Sequence, residues 1–62
     1  MTLDVKIEGL LFYKAAPQSK AKLLKLFGVT SDEFETAVQN LRVRLESGAV
    51  RVSETDTDIQ LV

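Results

Sequence analysis

Residues 19–33 read SKAKLLKLFGVTSDE, and this stretch decides the fold. Ser19 is a favoured N-cap, Lys20 to Phe27 has apolar residues at helical spacing, and Gly28 stands where a helix ends in the left-handed conformation. Thr30 and Glu33 then match a capping box, and Asp32 and Glu35 add negative charge near the positive end of the next helix dipole. One helix therefore ends at Gly28 and another begins at Thr30, joined by the tight turn GVT. Two helices joined by so short a glycine-containing turn make a helix-turn-helix. In the first of them Leu23, Leu24 and Phe27 form the buried side, with Leu26 at its margin and Lys20, Lys22 and Lys25 outside. In the second, Phe34, Ala37, Val38, Leu41 and Leu45 keep one face until Ser47 and Gly48 stop it. Val43 falls about opposite that face and is expected to be exposed.

Upstream, residues 3–15 form a further helix, with Thr2 as N-cap, Asp4 in the first turn and Pro17 forbidding continuation. At 100° per residue Leu3, Ile7, Leu10 and Leu11 make one stripe, while Val5 and Phe12 fall nearly opposite. This helix has two apolar faces, and the core needs only one. "APQS" reads as a loop. Downstream the period changes to two: "AVRVSE" puts Val50 and Val52 on one face, and "DIQLV" does the same with Ile59 and Leu61. The polar "ETDTD" between them predicts an antiparallel hairpin. The expected fold is mostly α with a small β-hairpin: three helices and a C-terminal two-stranded wing, a winged helix-turn-helix over residues 1–62. Because the strand pattern is still running at Val62, we expect this single domain to be a fragment of a longer protein.

Composition excludes several function classes. The chain has 62 residues, no Cys and no His, so it lacks thiolates, disulfides and the commonest general base and metal ligand. A Ser or Thr nucleophile would have only Lys or a carboxylate as its base, and we expect no enzyme and no cofactor. Glu54, Asp56 and Asp58 alternate like a calcium loop but lack its glycine and bidentate Glu, so we assign no metal; the plain reading is an acidic hairpin tip that discourages strand-edge aggregation. No apolar run has the length of a membrane span and no signal peptide is visible, which points to an intracellular, soluble domain.

DNA binding, the usual task of this topology, meets unfavourable charge. From Ser31 to Glu46 four acids face two bases, a balance of −2, and the hairpin sets Arg51 against Glu54, Asp56 and Asp58, also −2. Phosphate affinity is mainly electrostatic, so a DNA-binding transcriptional regulator, the alternative reading, would depend on Lys20, Lys22 and Lys25. Surplus apolar residues point instead to a protein interface at Val5, Gly9, Phe12 and Val43, with Gly9 allowing close helix approach.

The run "IEGLLFYKAAPQS", then "LLKLFGVTSDEFETAVQNLRVRLE", then "GAVRVSETDTDIQLV" resembles the N-terminal winged-helix domain of the ScpB (segregation and condensation protein B) family. Glu8, Leu10, Leu11, Phe12, Pro17, Leu24, Gly28, Leu41, Leu45 and Leu61 occupy matching places, over residues 7–62. The resemblance implies a non-enzymatic, cytoplasmic and nucleoid-associated subunit of the bacterial SMC–kleisin condensin complex. Such a subunit forms a homodimer, binds the kleisin ScpA and acts in chromosome condensation, segregation and cell division. Gly9 stands where the family usually has Ala, Gln18 where an apolar residue is common, and only one winged helix is present, so kleisin binding that needs a second is open.

Overall fold

The computed structural model describes residues 1–62 and contains α1 (Leu3–Tyr13), β1 (Gln18–Ser19), α2 (Lys20–Phe27), α3 (Ser31–Leu45), β2 (Val52–Glu54) and β3 (Asp58–Leu61). The boundaries of α2 and α3 follow from the local signals. Ser19 Oγ accepts from the Lys22 N–H at 3.3 Å, and Gly28 closes α2 at φ 65° and ψ 42°, with its N–H donating to the Leu24 carbonyl. This left-handed conformation costs any residue with a Cβ. At the start of α3 both halves of the capping box form: the Glu33 N–H donates to Thr30 Oγ1 at 3.2 Å, and the Thr30 N–H donates to Glu33 Oε1 at 2.9 Å. Helix α1 ends at Tyr13, two residues short of expectation, because Lys14 already turns extended. Thr2 occupies the N-cap position of α1 without a side-chain capping bond.

Three helices pack with a three-stranded antiparallel sheet in the order β1–β3–β2. The expected two-stranded hairpin is there, with Val52 opposite Leu61 and Glu54 opposite Ile59. A third strand is the departure from expectation: Gln18 and Ser19, within the "APQS" expected to be loop, form β1. Gln18 pairs with Ile59 and Ser19 with Asp58, and the Lys20 N–H extends the pairing to the Thr57 carbonyl at 2.9 Å. Two residues are too few to show an alternating pattern, and the partner strand lies at the other end of the chain. Val50 precedes β2 and is half-exposed; regular strand begins at Val52.

The core consists of Ile7 and Leu11 from α1, Leu23 from α2, Phe34, Ala37, Val38 and Leu41 from α3, and Val52 and Ile59 from the sheet. Leu3, Leu10, Leu24, Phe27, Leu45 and Leu61 pack around it partly buried, as their stripes require. With only nine of 62 residues buried the core is thin, as expected for so short a chain. Leu26 stays outside it, exposed.

Candidate protein-interaction surface

The sharpest break in the inside-out rule is at the end of α1. Leu11 is 1% exposed, whereas Phe12, its neighbour, is 77% exposed. Successive helix residues point about 100° apart, and here that rotation turns Leu11 into the core and Phe12 out of it. Phe12 stands beside a cavity of about 210 Å³ lined by Leu11, Phe12, Ala15, Val50, Leu61 and Val62, all of them apolar. Its walls are the end of α1, the segment before β2 and the end of β3. The groove is therefore built where the two ends of the chain meet, and no polar side chain lines it.

Of the four interface residues expected from the sequence, three share one side of α1. Val5, Gly9 and Phe12 follow the spacing i, i+4, i+7. Val5 is 37% exposed, and Gly9 is exposed with nothing in the chain within 4 Å of where a Cβ would sit. No contact within this domain requires a glycine there. Val43 is also exposed, at 67%, but it lies on α3 and does not line the groove. Sequence reasoning missed Ala15, Val50, Leu61 and Val62 as part of the same surface. No local signal could have found them, because the groove exists only once residues from both ends of the chain are brought together.

The two arginines of α3 are already paired. Arg44 donates from Nε to Asp4 at 3.1 Å and from Nη1 to Glu8 at 2.8 Å, joining α3 to α1. Donation to Glu8, with that to Asp4, outweighs desolvation and holds the Arg44 pKa above its ordinary value. Arg42 donates to Glu54 at 2.6 Å and to the Val52 carbonyl at 3.0 Å. Both arginines of α3 thus face carboxylates of their own chain. Glu54 is no solvated tip acid: its side chain is 16% accessible and also takes Lys20 Nζ at 2.8 Å. Lys20 is in turn half-buried, and of the three lysines on α2 only Lys22 and Lys25 stand exposed.

The largest cavity, about 460 Å³, lies between the first turns of α1 and α3 and is lined by Thr2, Leu3, Asp4, Asp32, Glu33, Thr36, Ala37 and Asn40. Its acids sit where helix dipoles favour them, and Glu33 is occupied by its cap; the Thr30 N–H bond keeps its carboxyl below the usual range. No three acidic side chains converge in a way that would hold a metal ion. No helix is long and apolar enough to cross a membrane. No protein-family model matches the chain, and neither a curated protein nor a solved structure is similar to it.

Proposed function

We propose that this chain is a winged-helix protein-interaction domain, an ScpB-like subunit that dimerises and joins a kleisin in an SMC-type chromosome-condensing complex. The observation that carries the reading is Phe12, exposed beside an apolar groove on a helix whose opposite face already supplies the core. Contiguous apolar surface of this kind is the usual mark of an interface. The order helix, strand, helix, helix, strand, strand, with the short first strand added to the hairpin, suits a winged helix. Charge favours a protein partner over DNA. In a helix-turn-helix the second helix enters the major groove by its first turns, and those of α3 carry Asp32, Glu33 and Glu35.

Its Arg42 and Arg44 are spent on internal ion pairs, as is Lys20, so the regulator reading retains only Lys22 and Lys25. Sedimentation of the chain across micromolar to millimolar concentration, with and without Phe12→Asp, tests the proposal. Reversible association lost in the variant is the expected result. A monomer at every concentration, together with salt-sensitive duplex DNA binding that disappears on replacing Lys22 and Lys25, would overturn it in favour of a DNA reader.

A further inference from the structure

We infer that Glu54 is a latch that holds the β2–β3 hairpin against the helix pair. Glu54 lies on the same face of β2 as the buried Val52, so its side chain points inward to the helices. Its Oε2 accepts from Lys20 Nζ at 2.8 Å and its Oε1 from Arg42 Nη2 at 2.6 Å. Arg42 Nη1 returns to the same strand, donating to the Val52 carbonyl at 3.0 Å. One carboxylate therefore ties the first residue of α2, the last turn of α3 and β2 into a single network, and Asp56 at the hairpin turn belongs to no ion pair.

The network adds to a modest set of other fastenings, the short β1–β3 pairing, the Arg51 guanidinium donating to the Leu45 carbonyl at 3.0 Å, and a small apolar contact. Only Val52 and Ile59 of its residues are buried, with Leu61 partly so. Charge-assisted bonds with side chains 16% and 20% accessible are shielded from the competition with water that makes exposed pairs weak. Removing Glu54 has a second effect, since it leaves two half-buried cations sharing a site with no anion between them. Without the latch, hairpin opening becomes a local event separate from loss of the helical core.

Amide hydrogen exchange of the full chain at pH 7 tests this, comparing wild type with Glu54→Gln, Lys20→Met and, as a control, Asp56→Asn. In Glu54→Gln the amides of Arg51, Thr55 and Val62, and that of Lys20 bonded to Thr57, should exchange faster by about tenfold or more. Core amides of α3, such as Leu41, should keep their protection, and Asp56→Asn should change neither group. Lys20→Met retains the Arg42–Glu54 pair and should loosen the hairpin by a smaller factor, which decides the matter even if Glu54→Gln folds poorly. Equal acceleration in hairpin and α3, or hairpin exchange unchanged in both Glu54→Gln and Lys20→Met, would overturn the inference.

Discussion

Leu11 and Phe12 are adjacent, both large and apolar, and alanine substitutions at the two should have opposite consequences. Leu11 is buried to 1% exposure and packs in the core, so Leu11→Ala should cost about 2–5 kcal/mol through lost transfer energy and the cavity left behind. At about 0.05–0.15 kcal/mol per residue, 62 residues give a total stability of about 3–9 kcal/mol. Leu11→Ala therefore removes a large share and in the worst case unfolds the domain. Phe12 is 77% exposed, so Phe12→Ala should move stability by no more than about 0.5 kcal/mol. Its effect should fall on association. A large side chain passing from exposed to buried contributes roughly 1.5–3 kcal/mol. A symmetric dimer contains the contact twice, so the loss is about 3–6 kcal/mol, or roughly a hundredfold to ten-thousandfold in Kd. Thermal unfolding followed by circular dichroism measures the first quantity, and sedimentation equilibrium the second. The reasoning is refuted if Phe12→Ala lowers Tm as Leu11→Ala does, or if it leaves a measured self-association constant unchanged.

The two helix-associated glycines separate in the same way. Gly28 holds φ 65°, so Gly28→Ala should destabilise by about 1–2 kcal/mol, whereas Gly9→Ala, in open space within a helix, should stabilise by about 0.5–1 kcal/mol; urea midpoints of both variants check the signs. Thr30→Ala breaks the capping box and should cost about 1 kcal/mol, read from the same titrations. Burial pushes the Glu54 carboxyl up, but the hydrogen bonds from Lys20 and then Arg42 outweigh it, leaving the pKa below the ordinary value; that of Glu33 is lowered by the Thr30 N–H. Groups depressed in the folded state stabilise it above their unfolded pKa, and that stability is lost as pH falls through the folded value. Unfolding midpoints should thus be flat from pH 7 to about 5 and fall progressively below, and Glu54→Gln should fall less.

Helices α2 and α3 and the short turn between them were legible in the sequence because their signals are local. Ser19, Gly28 and the Thr30–Glu33 box each act within four residues, and each forms the bond its spacing implies. The apolar stripes were legible for the same reason: Ile7, Leu11, Leu23, Phe34, Ala37, Val38 and Leu41 are the helical core. Strand β1 was not, since two residues carry no period and the pairing energy comes from β3, about forty residues away. The candidate site was half legible. That Phe12 exceeds what the core requires follows from helical angle alone, but the groove beside it depends on Val50, Leu61 and Val62 arriving from the far end of the chain. Glu54 was misread as a tip acid because its partners, Lys20 and Arg42, lie on other elements and only the packed structure brings them to it.

Arg42 also bears on the free edge of the sheet. Arg51 and Val62 exchange both of their backbone hydrogen bonds, so in an antiparallel ladder the polar backbone groups of the next residue, Val52, point away from β3. That outward carbonyl is where an incoming peptide strand would bond if it extended the sheet, and the Arg42 guanidinium already occupies it. Arg42 thus takes one of the outward backbone acceptors that strand addition along β2 would use, and β1 on the opposite border is only two residues long. On the interface reading proposed above, this favours side-chain contacts with the groove at Leu11, Phe12, Ala15, Val50, Leu61 and Val62, where shape would set specificity, over strand addition at β2.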